Sequence, residues 1–143
     1  MKSALYVGLV HYPIYDKNFN VIATAITNYD LHDISRSSKT YGVKKYFIIH
    51  HVQGQLDMVH KIIDFWESPA GRKYNSYRTQ AFDIVDIRPS IEAAVEAVAK
   101  AEGKRPYVVT TGCMPIRFPT RTCAARGKKT IRPSCCSLVR DMV

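Results

Sequence analysis

No run of apolar residues in this chain approaches the ~20 needed to cross a bilayer as a helix. Nor does it contain GxGxxG, a P-loop, GxSxG or HExxH. The local signatures of dinucleotide, nucleotide-triphosphate, serine-hydrolase and zinc-protease chemistry are therefore missing. The first 112 residues have no cysteine, and the last 32 hold all four. Cys135 and Cys136 are adjacent rather than spaced as C-x-x-C, and all five histidines precede the cysteines. A zinc site is not expected from that spacing, and unpaired thiols are the reading it favours. The opening MKSALYVGLV is soon broken by His11 and Pro13 and has no small-residue cleavage site. It reads as a buried strand rather than a signal peptide, so a cytoplasmic location is expected. With 143 residues, 46% hydrophobic and 23% charged, the balance is that of one globular domain. It excludes a disordered chain, a collagen-like chain and a disulfide mini-protein.

What charge there is lies unevenly. Residues 1–111 carry 14 basic and 11 acidic side chains, and residues 112–143 carry seven and one. Six of the nine net positive charges thus sit in the last 32 residues. A mixed body, 1–111, followed by a basic, cysteine-containing tail, 112–143, is a composition break.

Within the body, apolar patterning alternates between strands and helices. Ala4–His11 has apolar residues on both faces, as a central strand does. Val21–Thr27 reads as a short extended run. Asp30 is placed as the N-cap of a helix with Asp33 at N3, with Leu31, Ile34, Ser38 and Tyr41 on one face and Gly42 as the stop. Val43–His51 is a second core strand. Leu56, Val59, Ile63 and Trp66 mark a helix ended by Pro69-Ala70-Gly71, with Trp66 as packing material. Tyr74–Arg78 reads as a polar link and Phe82–Ile87 as a third strand. Ser90 caps a helix that Gly103 ends, and Pro106–Thr111 is a fourth strand. The order predicts an α/β fold with a mostly parallel sheet.

Few residues stand out for chemistry. His50-His51 closes a strand, and the carboxyl ends of parallel strands face the ligand crevice. The competing expectation is a partly exposed pair on a loop. Asp30, Asp33 and Arg36 recur at i, i+3, i+6 on one helix, with Lys39 following. Basic side chains near a helix start can hold phosphate, and a solvated face with an Asp33–Arg36 pair is the alternative.

Four segments, LYVGLVHYPIYDKN, VIATAITNYDLHDISRSSKTYGVKKYFI, KYNSYR and RPYVVTT, resemble the SPOUT (α/β-knot) superfamily of S-adenosylmethionine-dependent RNA methyltransferases. Within it they are most similar to the small bacterial group related to the C-terminal domain of tRNA (guanine-N1)-methyltransferase. The second segment also resembles the Asn-Val-Gly…Arg…Gly-Val motif of SPOUT ribose methyltransferases. Arg36 stands at that arginine, Gly42-Val43 at Gly-Val, and Asp30 where the asparagine would be.

The resemblance implies a Rossmann-like mostly parallel sheet with flanking helices, S-adenosylmethionine as cofactor, no metal, a homodimer and a tRNA or rRNA substrate. It makes Arg36 the catalytic candidate. Asp30, Lys39 and Arg78 become RNA-contact candidates, and Thr110 and Thr111, ending the fourth strand, candidates for the cofactor edge. A non-catalytic basic RNA-binding module is the alternative.

Residues 112–143 depart from the family, which continues with a run like N-T-I-S-Y-x-D-L-R and a Gly-rich loop before the knotted helix. Back-translated and shifted by one base, residues 115–124 permit the first pattern, and residues 135–143 permit a looser form of the second. The expectation is an out-of-frame tail that lacks packed structure, a knot missing or disrupted, a sheet edge left open and a form inactive as it stands; the alternative is a genuine divergent basic tail.

Overall fold

The computed structural model describes residues 4–111 and the backbone of Ser137–Arg140. Strand β1 (Leu5–Val10) is followed by a small ribbon of β2 (Ile14–Tyr15) and β3 (Val21–Ile22). Next come α1 (Asn28–Thr40), β4 (Lys45–Ile49), α2 (Gln53–Glu67), α3 (Pro69–Tyr74) and α4 (Ser76–Phe82). The chain continues through β5 (Val85–Arg88), α5 (Ile91–Glu102), β6 (Tyr107–Thr110) and β7 (Ser137–Arg140). The five-stranded sheet runs β5-β4-β1-β7-β6. β1, β4 and β5 are parallel, and β7 lies antiparallel to both its neighbours, β1 and β6. β1 and β4 are central neighbours, as their two-faced apolar character predicts, with Tyr6 opposite Lys45 and Val10 opposite Ile49.

The β1-β4-β5 part of the sheet is covered on both faces, which is why β1 and β4 are apolar on both. Tyr46 and Ile48 of β4 point to one side and join Leu31, Val59, Trp66 and Phe82 of α1, α2 and α4. Phe47 and Ile49, one residue out of phase, join Tyr6 and the α5 residues Ala94 and Val98 on the other. The end of α5 is tied down by Glu102, whose carboxylate accepts from Tyr6 Oη (2.5 Å) and Lys44 Nζ (2.7 Å). These two bonds, Lys44 first, hold that carboxyl below its ordinary pKa.

Several local expectations are corrected. The N-cap of α1 is Thr27, whose hydroxyl accepts from the Asp30 N–H. Asp30 is its N3 partner and accepts in return from the Thr27 N–H at 2.8 Å, a capping box. Leu31 and Ser38 are buried as expected, joined by Ser35, whereas Tyr41, expected on the same face, is the C-cap and is exposed. Gly42 follows at φ +72°, the left-handed stop expected of it. Of Val21–Thr27, only Val21–Ile22 pairs as a strand. Pro69 does end α2, but it also starts α3 as an early-turn proline, with Ser68 as cap. The expected polar link becomes α4, capped by the Asn75 side chain.

The tail shows the largest difference. Ser137–Arg140 forms β7 and pairs along both β1 and β6, so the edge of β1 is covered. The frame shift, the knot and the fate of residues 112–136 and 141–143 lie outside the described residues.

Candidate functional site

Two places collect the residues with chemistry. The first is a cleft of about 440 Å³ between α1 and α4, lined by Arg36, Lys39 and Thr40 from α1 and by Asn75, Tyr77, Arg78, Gln80 and Ala81 on the other side. Burial of Leu31, Ser35 and Ser38 turns the opposite face of α1 outward, and Arg36 and Lys39 are exposed there. Arg36 lies 3.9 Å from Asp33, with both side chains more than half exposed. A pair of that kind contributes little to stability.

The α4 wall is held by buried bonds. Thr79 Oγ1 donates to the Trp66 carbonyl at 2.8 Å. The Arg78 guanidinium lies 4.7 Å from the centre of the Trp66 ring, and its Nε is buried with no hydrogen-bond partner among the described residues. His32 packs edge-on against Trp66 and Phe82 behind this wall. Burial first, then the Arg78 charge, lowers its pKa against the pull of Asp33, with Arg36 lowering it further.

The second place is the carboxyl edge of the parallel strands. His11, just after β1, is buried and bridges Nδ1 to Thr24 Oγ1 at 3.1 Å, with Nε2 3.8 Å from Asp30 Oδ2. Burial, the largest cause, lowers its pKa; Asp30 opposes and His50 adds to the shift. His50 lies in the connection one residue past β4, but it is fully buried rather than partly exposed. The Val52 N–H donates to its Nδ1, so Nε2 carries the proton and donates to the Thr24 carbonyl, each at 3.0 Å. His51 is exposed and rests on Tyr12, with ring centres 3.8 Å apart.

Folding thus brings Arg36, Lys39 and Arg78 together. Asp30 stands apart, about two turns up α1 from Arg36 (~9 Å of rise). Thr110 ends β6 and Thr111 follows it; β6 runs in the same direction as β1 because β7 is antiparallel to both. The two threonines sit at the carboxyl edge but two strand spacings, roughly 10 Å, from β1. Sequence reasoning missed His11 and Thr24. The signal for His11 was its place one residue past a strand, like that of His50.

The fold is that of an α/β domain with polar residues at the carboxyl ends of its parallel strands and a cation-lined cleft between α1 and α4. The chain belongs to the SAM-dependent RNA methyltransferase family, whose pattern it matches over residues 4–136. It is 34% identical over 107 residues to a protein of Aquifex aeolicus named only "Uncharacterized protein", an alignment covering 75% of this chain and 52% of that one. It is 36% and 33% identical over 107 residues to the tRNA (guanine-N(1)-)-methyltransferases of Nitratidesulfovibrio vulgaris and Oleidesulfovibrio alaskensis, covering 25% of each. The chain therefore spans about half the length of the first relative and a quarter of the other two.

The family uses S-adenosylmethionine. That molecule offers ribose hydroxyls and an adenine edge that need hydrogen-bonding partners. Thr110, which is exposed, and Thr111, which is half-buried, are the two hydroxyl side chains at the end of β6. Among the described residues no cluster of three or more His, Cys, Asp or Glu could hold a metal, and no helix is long and apolar enough to cross a membrane.

Proposed function

We propose that this chain is a methyl-transfer unit for RNA, tRNA or rRNA, acting in the cytoplasm as a homodimer. The observation that carries the reading is the joining of Arg36, Lys39 and Arg78, far apart in sequence, in one cleft. Three cations there suit successive phosphates, which position an RNA without reading its sequence. When bound, S-adenosylmethionine supplies an activated methyl group on a sulfonium. Thr110 and Thr111 hold the edge of that ligand.

Arg36 orients the RNA so that its nucleophile meets the methyl in line, a contribution of position rather than of new bonds. Its guanidinium also stabilises the negative charge that develops as the nucleophile gives up its proton to water or a neighbouring RNA phosphate. Asp30 acts indirectly. Its carboxylate is committed to Thr27, so it sets the start of α1 and through it the place of Arg36 and Lys39. In the homodimer that the family resemblance implies, the cleft of one copy serves the Thr110–Thr111 edge of the other.

Residues 112–143 read from the sequence as an out-of-frame departure from the family, while the family match itself extends to residue 136. The test therefore uses both the 143-residue chain and a form with the frame restored after residue 111. Each is given RNA and S-adenosylmethionine labelled in the methyl group. Label in RNA with the restored form supports the proposal. RNA binding with no label from either form would make the chain a non-catalytic RNA-binding module.

A further inference from the structure

Tyr74 and Tyr77 are 81% and 82% exposed, an unusual way to leave two large aromatic side chains. They sit at the junction of α3 and α4, and Tyr77 lines the same cleft as Arg36, Lys39 and Arg78. A third, Tyr41, is 81% exposed at the end of α1. The cleft lining carries three cations, Arg36, Lys39 and Arg78, and no carboxylate. Asp33 stands at the rim, already beside Arg36.

Resting on the RNA reading above, we propose that this face binds an unpaired stretch of RNA, with a base stacked on Tyr77 and its phosphates on the flanking cations. Base faces are hidden inside a duplex and accessible only in loops, bulges and single strands. Exposed tyrosines interleaved with cations are therefore suited to unpaired nucleotides, whereas cations alone would serve a duplex equally well. The cleft volume of about 440 Å³ falls in the range of pockets that seat one small-molecule-sized group. The exposed Gln80 amide at its wall can meet a base edge. A second copy of the same face is a poor occupant, because an isologous contact would set these cations against themselves with no carboxylate among them.

The test measures fluorescence anisotropy of a labelled 12-nucleotide oligoadenylate, and of the same strand in a duplex, with the full 143-residue chain and no cofactor. The single strand binds more tightly than the duplex. Tyr77→Ala weakens single-strand binding ~5- to 100-fold and leaves duplex binding unchanged. Tyr77→Phe keeps the affinity, since the ring face is retained. Lys39→Ala lowers the slope of log affinity against log salt by close to one phosphate contact. Melting curves accompany each variant, and the exposure of Tyr77 predicts little change in them.

Equal affinity for strand and duplex, or no effect of Tyr77→Ala, overturns the inference, as does a change of oligomeric state by sedimentation in Tyr77→Ala. If the Tyr77 effect holds but no form transfers methyl groups, the binding site stands and the enzymatic reading fails. If methyl transfer occurs and Tyr77→Ala alters neither it nor binding, only the present inference fails.

Discussion

Arg78 rests on Trp66, its guanidinium carbon 4.7 Å from the ring centre, while the next residue, Thr79, donates to the Trp66 carbonyl. Consecutive residues of α4 thus grip the last turn of α2 by a ring face and a backbone oxygen. The grip orients a cation that would otherwise swing freely at the mouth of the cleft. Arg78→Lys keeps the charge but loses the planar contact. We expect a stability loss of about 0.5–1 kcal/mol in urea unfolding and weaker RNA binding in anisotropy. Arg78→Lys with unchanged RNA affinity would make Arg78 a bare charge.

Gly71 is the next constraint on the same junction. A Cβ there would lie 2.5 Å from the Phe65 carbonyl oxygen and 2.7 Å from Trp66 backbone atoms. Backbone cannot give way as a flexible side chain can. Gly71→Ala is predicted to cost roughly 1–3 kcal/mol, seen as a lower urea midpoint with an unchanged slope.

Thr27→Ala removes the cap of α1 and one half of the capping box, a predicted loss of about 1 kcal/mol. Because the same box sets the start of α1, RNA affinity should fall more than an exposed control such as Lys17→Ala causes. Circular dichroism melts and anisotropy check the two effects separately.

That cap shows how far the sequence could be read. The helix, its glycine stop and its cations were legible, because apolar spacing and Gly42 mark them directly. The cap was displaced by one turn: Thr27 and Asp30 are both good caps, and only the geometry shows that they serve each other. The pairing of β1 with β4 followed from strands apolar on both faces. Arg36 and Lys39 were candidates from a motif, yet their meeting with Arg78 depends on how α4 docks on α1 and α2, a long-range packing event with no periodic signal. Tyr77 was hidden in a stretch read as a polar link. β7 could not be read at all, because four residues paired with strands more than 25 positions away leave little local pattern.

The pH dependence of stability follows from His11. Burial lowers its folded pKa below the ordinary 6.5, so the folded state takes up a proton less readily than the unfolded chain. Its contribution is fully present above pH 6.5 and is lost as the pH falls below it. His32, shifted the same way, adds to the effect. Urea midpoints should drop between pH 8 and pH 5.5, and His11→Asn should flatten that drop. A midpoint that rises on acidification over this window would contradict the assignment.

The most direct test of the account is methyl transfer from labelled S-adenosylmethionine to tRNA by the frame-restored chain and its Arg36→Ala variant, with melting curves in parallel. Arg36 is 60% exposed on its side chain, with a 3.9 Å ion pair to an equally exposed Asp33, so its removal should cost the fold little. The account predicts that transfer falls at least ~100-fold, the scale of a lost transition-state contact, while the melting temperature stays within about 2 °C. Transfer that survives Arg36→Ala, or that falls only in step with stability, would contradict it.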